Sequence, residues 1–310
     1  MKQSAMFGPA GFPTSFFDTK KYKKNRVNAA EWLHDIGLDI LELQMVHGPR
    51  TRPEVAEQHR EKAEEFGVNF SIHASYYCVL SSVKDDVVER SFASLAKTAE
   101  LAALAGASRI VLHPGTTAGG RENALGRFIT NMQKFVANDL PDGVHIYPET
   151  AGKVNSLGSL DEILTICREV PSCRPCVDFG HLHCRQLSEL ETDNGWTFTK
   201  PEDYIVAMDH LKANLRPEQW EEMHYHISPI EFTPKGEKKH RDHGELISEE
   251  DADPMFGKPG DPWLPVAEHF ARALALTGYP AWVISEAADS MDRGALAMKK
   301  TYLSTTEDTE

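Results

Sequence analysis

The sequence predicts an α/β protein folded as a single (β/α)8 TIM barrel over residues 1–302. Three observations predict it. Eight short apolar runs alternate strictly with eight longer helical patterns, the rhythm of a parallel sheet wrapped by helices. The length of 310 residues suits one barrel of about 250 residues with insertions. A composition of 41% hydrophobic and 26% charged residues is that of an ordinary globular chain, which excludes disorder or a fibrous repeat.

Strands are expected at 4–8, 39–45, 69–75, 109–115, 145–150, 174–179, 222–228 and 281–287. Each is short and rich in Val, Ile, Leu or Tyr, as a strand covered on both faces should be. Helices are expected near 27–36, 53–66, 86–106, 121–138, 159–169, 201–214, 263–277 and 288–302. Pro53 suits the first turn of its helix, and Gly67, Gly106 and Gly278 close three others.

Two long loops interrupt the alternation, at 180–200 after strand six and 229–262 after strand seven. The second is charged, rich in proline and glycine, and poor in apolar periodicity. Loops of such length in a compact domain are functional or disordered. Residues 303–310 (LSTTEDTE) are expected to be a disordered tail.

The net charge of −14 opposes general adhesion to nucleic acid or anionic membrane, but permits a local basic groove or bound metals. No apolar run reaches about 18 residues, so no membrane association is expected. The N-terminal MKQSAMFGPAGFP lacks the pattern of a signal peptide. Five cysteines, an odd number, argue against a disulfide framework. Together these features predict a cytoplasmic protein with reduced thiols.

Residues able to ligate metals gather at the C-terminal ends of the expected strands. Strand three ends in His73, strand four in His113 and strand five in Glu149. Strand six ends in Asp178, with His181 three residues on; strand seven carries His224 and His226, and strand eight ends in Glu286. In a parallel barrel, strand ends of this kind face one mouth, where barrel enzymes place their chemistry. One such histidine alone is more often a hydrogen-bonded polar residue, but six strands in succession are hard to explain that way. Imidazole with carboxylate suits Zn, Mn, Fe or Co. Grouped carboxylates would repel one another unless divalent cations lay between them, and paired metals suit hydrolysis or phosphoryl displacement.

In this order the motifs His73-Ala-Ser-Tyr76, Val111-Leu-His113-Pro-Gly115, Pro148-Glu149-Thr-Ala-Gly152, Val177-Asp178-Phe-Gly-His181, His226-Ile-Ser228 and Ile284-Ser-Glu286 resemble the endonuclease IV family (AP endonuclease family 2) of xylose-isomerase-like barrels. The stretch Gly236 to His240 is similar to that of archaeal relatives. The resemblance implies a phosphodiesterase that cuts double-stranded DNA 5′ to abasic sites with two or three divalent metals, zinc foremost and Mn or Fe as alternatives. It implies that His73, His113 and Glu149 hold one metal. Glu149 would reach a second, completed by Asp178, His226 and Glu286, with Glu149 and Glu286 central to catalysis. His181 would hold a third with ligands from the loop after strand seven.

That loop departs from the family's Asp-x-His, reading Lys239-His240-Arg241-Asp242-His243. His240 is the first choice of ligand, Asp242 the second and His243 the third. His224 and His226 share a face, and His226 lies nearer the strand end. Tyr76 matches a tyrosine that contacts DNA, and Arg50, with Gln44 and His47, lies in a loop that would enter the lesion. Arg50, Arg52, Lys235, Lys238, Lys239 and Arg241 together form a candidate phosphate rim.

The expected protein is thus a monomeric, cytoplasmic DNA-repair hydrolase. A sugar isomerase or epimerase on the same barrel is the alternative, and a silent metal- or nucleic-acid-binding protein a third reading. The third metal group separates the first two, because His181 and the histidine-rich loop serve little purpose in an isomerase.

Overall fold

A computed structural model describes residues 5–22, 25–187 and 198–308. Its strands are β1 (Ala5–Pro9), β2 (Ile40–Gln44), β3 (Asn69–His73), β4 (Arg109–Leu112), β5 (His145–Pro148), β6 (Cys176–Asp178), β7 (His224–Ile227), β8 (Ile230–Thr233), β9 (Gly236–His240) and β10 (Ala281–Ser285). Its helices are α1 (Thr14–Asp18), α2 (Ala29–Ile36), α3 (Pro53–Phe66), α4 (Asp85–Ala105), α5 (Arg121–Asn138), α6 (Leu160–Glu169), α7 (Phe179–Leu187), α8 (Pro201–Asn214), α9 (Pro217–Trp220), α10 (Ala267–Thr277) and α11 (Met291–Glu307).

Two compact units divide the chain. One comprises Ala10–Thr150 and Asn155–Cys176, the other Met1–Pro9, Ala151–Val154 and Val177–Glu310. In the first, β2, β3, β4 and β5 form a sheet in sequence order, every pair parallel. Parallel bridges extend it from Ile146 to Cys173 and from Glu149 to Cys176. Its strands are buried with hardly a break, which is why they read as apolar runs. Helices α2, α3 and α4 end where the chain turns left-handed at Gly37, Gly67 and Gly106, the last two as the sequence predicts. Pro53 opens α3, and Ser159 with Glu162 forms a complete capping box on α6.

In the second unit the strand order is β1-β10-β7-β6, with the β1–β10 and β10–β7 pairs parallel. An aromatic core of Phe179, Phe198, Tyr204, Tyr225 and Phe270 packs beneath it, mostly edge to face at 4.9–5.7 Å between ring centroids. The loops expected here contain regular structure. Residues 179–187 of the first form α7, while 188–197 lie outside the described residues. The second contains an antiparallel hairpin, β8 with β9, closed by Pro234 and Lys235. The expected tail is helical as far as Glu307, inside α11. No described helix is long and apolar enough to cross a membrane.

Candidate metal centre

Parallel pairing of β3, β4 and β5 brings the residues at their C-terminal ends side by side. His73 Nε2 lies 3.2 Å and His113 Nε2 3.5 Å from the same oxygen, Glu149 Oε2. His73 and Glu149 are buried, and His113 is partly exposed. On its other side His73 places Nδ1 2.9 Å from the carbonyl oxygen of Ala74. A carbonyl only accepts, so Nδ1 carries a proton, and when the ring is neutral Nε2 turns a lone pair toward the carboxylate. Two lone pairs at 3.2 Å repel unless a proton or cation lies between them. Ligands held about 2.0–2.1 Å from a tetrahedral zinc stand about 3.3 Å apart, which is the spacing here. The donor set therefore fits a divalent metal.

A second group lies within the other unit. Asp178 ends β6, His226 lies within β7 and Glu286 follows β10; each offers an atom within 4.8 Å of the others. The register sets Ile284 of β10 opposite His226, and Glu286 donates its backbone N–H to Ile227. Its Oε2 then lies 3.3 Å from His226 Nδ1. Asp178 and His226 are wholly buried. His224, two residues before His226, is also buried, with its ring 5.1 Å away and inclined at 63°.

The third group contains a carboxylate the sequence did not single out, Glu237. His181 Nε2 lies 3.6 Å from Glu237 Oε2, and His240 Nε2 lies 3.7 Å from Glu237 Oε1. His240 Nδ1 is hydrogen-bonded to the buried Ser228 hydroxyl at 2.6 Å. The backbone explains why Glu237 reaches this place. Gly236, at φ +92°, opens β9 so close to the 151–154 segment that an added Cβ would collide with the Gly152 oxygen. Gly152 in turn admits Glu237 and His181, since a Cβ there would lie 2.8 Å from Glu237 Cβ and 3.1 Å from His181 Cδ2. The amide of Glu237 completes the tether by donating to the Gly152 carbonyl.

Asp242 and His243 lie apart from this group. Asp242 Oδ1 accepts the backbone N–H groups of Asp289 and Ser290 at 2.8 and 2.7 Å. Burial opposes its ionisation, yet these hydrogen bonds hold its pKa below the ordinary value. His243 packs with Nε2 2.9 Å from the Ser285 hydroxyl, and burial lowers its pKa to about 4, so it is neutral at pH 7.

Tyr76 is 56% exposed and stacks over His113 at 5.5 Å. Four basic residues of the expected rim fall into two sets. Lys238 and Arg241 both pair with Glu231, and Arg241 also pairs with Glu245. Arg50 and Arg52 instead line a cavity beside β2.

A family model described as the xylose isomerase-like TIM barrel matches residues 30–301. An uncharacterized protein of Methanocaldococcus jannaschii is 29% identical over 238 residues, 76% of this chain and 80% of that protein. A probable endonuclease 4 of Natronomonas pharaonis is 30% identical over 177 residues, 54% of this chain and 62% of that relative. The crystal structure of endonuclease IV from Thermus thermophilus superposes with a TM-score of 0.62 at 20% identity, covering 97% of this chain and 99% of that one. A D-tagatose 3-epimerase-like protein superposes with a TM-score of 0.60 at 14% identity, covering 98% and 99%. The fold class is the expected α/β TIM barrel.

Proposed function

This chain belongs to the xylose isomerase-like TIM barrel family, and from that premise we propose that it is a metal-dependent phosphodiesterase that cuts DNA 5′ to abasic sites. The observation that carries the proposal is the third group, His181, Glu237 and His240. An isomerase working with one or two metals would have no use for it.

In this reading one metal, with zinc foremost, is held by His73, His113 and Glu149, a second by Asp178, His226 and Glu286, and a third by His181, Glu237 and His240. Such ions, when bound, would polarise the phosphodiester and lower the pKa of a water molecule toward neutrality. The chain's own residues orient the ligands. The Ala74 carbonyl fixes the His73 tautomer, and Ser228 fixes the ring of His240. The exposed face of Tyr76 offers a platform on which a base or the sugar at a lesion can rest. Double-stranded DNA as substrate, a monomeric state and a cytoplasmic location belong to the same proposal.

The deciding experiment is incision of a duplex carrying one abasic site by protein loaded separately with Zn and with Mn. A 5′ cut that disappears in Glu149→Gln supports the reading. A folded, metal-loaded protein that leaves the duplex intact but epimerises a ketose would replace it with the sugar-epimerase alternative.

A further inference from the structure

Beside β2 lies a cavity of about 300 Å³ whose wall includes Arg26, Arg50, Arg52, Thr51 and His59, none of them a member of the ligand groups. No carboxylate is among its lining residues. None of the three arginines has an acidic partner among the described residues, whereas Lys238 and Arg241 are paired with Glu231. Arg26 is held in place by stacking on the rings of Phe12 and Phe17, with its guanidinium carbon 5.1 and 5.5 Å from their centroids. Three like charges at one cavity repel each other, and in a chain of net charge −14 their concentration calls for an anion.

Two further features face the same space. The 14-residue helix α3 begins here; Pro53 carries no amide hydrogen and the amides of Val55 and Ala56 already donate to the Arg52 carbonyl, so its first turn contributes the positive end of the helix dipole. His59, only 5% exposed, also lines the cavity, and its Nδ1 has no hydrogen-bond partner among the described residues. Burial lowers its pKa to about 4, so at neutral pH it is an uncharged ring with one N–H to donate. Phe12, Met45 and Val55 complete the wall with apolar surface, which strengthens every charge interaction inside.

We propose that this cavity binds a phosphate group through the forked donors of Arg26, Arg50 and Arg52, independently of any metal. Guanidinium forks match the oxygens of phosphate two at a time, and a helix N-terminus adds partial positive charge from the backbone. The phosphate can come from a small phosphorylated molecule or from the backbone of a nucleic acid strand.

The test is calorimetric titration of the metal-loaded protein with inorganic phosphate, with deoxyadenosine monophosphate and with an undamaged ten-nucleotide DNA strand. The expected result is a site whose affinity falls at least tenfold in Arg26→Gln/Arg52→Gln and stays unchanged in His113→Gln. Arg26 and Arg52 are exposed and His113 is partly exposed, so both variants should fold, and unfolding midpoints within a few degrees of the parent verify it. A DNA strand that binds far more tightly than either small phosphate, and competes with both, identifies the nucleic acid backbone as the source; equal binding of all three identifies the small molecule. Phosphate affinity that is unchanged in the arginine variant, or lost only in His113→Gln, overturns the proposal. Because no strand is cut in this assay, failure of the proposed nuclease reaction would leave the result intact.

Discussion

The ring of Tyr76 lies nearly parallel to that of His113, 20° from coplanar and 5.5 Å away, so the imidazole that approaches Glu149 on one side is roofed by an exposed phenol on the other. Stacking of a base on an aromatic ring contributes about 1–3 kcal/mol. Tyr76→Ala should therefore raise KM for lesion-bearing DNA about tenfold or more, while Tyr76→Phe stays close to the parent. Metal content, measured by mass spectrometry, should not change in either variant.

Glu237 and Asp242 make opposite predictions. Glu237→Gln removes the carboxylate shared by His181 and His240, and should lower bound metal by about one ion per chain with little effect on folding. Asp242→Asn weakens the hydrogen bonds to Asp289 and Ser290, and should cost about 1 kcal/mol of stability with metal content intact. If Asp242→Asn instead loses the ion, the ligand assignment is reversed.

Gly236→Ala should disrupt the same group from the backbone. Its positive φ, and the Gly152 oxygen lying where a Cβ would go, leave no place for a methyl group. A loss of about 2–4 kcal/mol in urea unfolding is expected, together with reduced metal content, because Glu237 can no longer stay beside Gly152.

Acid should destabilise the fold through buried neutral histidines. Burial lowers the pKa of His59 and of His183 from 6.5 to about 4. The unfolded chain therefore binds these protons first as the pH falls. Stability is full above about pH 6.5 and falls toward pH 4 by about 1.4 kcal/mol per pH unit for each histidine. Urea midpoints at pH 7, 6 and 5 should fall accordingly, and His59→Leu should flatten the slope by one proton.

Much of this architecture can be read in the sequence. Strands buried on both faces must be apolar throughout, and helices that end at Gly67, Gly106 and Gly278 mark their own stops. The positions of His73, His113, Glu149, Asp178 and Glu286 at strand ends were legible because each closes such a run. The β8–β9 hairpin was not, since Gly236 to His240 is charged and carries no apolar alternation. The only local signs were Ile230 and Phe232 two apart, followed by a Thr-Pro-Lys-Gly turn. The approach of Glu237 to His181 and His240 was not legible, because its spacing to His240 differs from the familiar Asp-x-His and its place depends on contact with Gly152, 85 positions earlier in the chain.

Strand β6 passes into α7 with no residue between, and Asp178, the last of the strand, receives the amide of His181 at 2.8 Å. One residue added at this junction would swing His181 about 100° around the helix axis and part it from Glu237. This corner of the protein can therefore accept neither insertion nor deletion over evolutionary time. New specificity has to arise where a change of length leaves this junction intact, such as the stretch between the β8–β9 hairpin and α10.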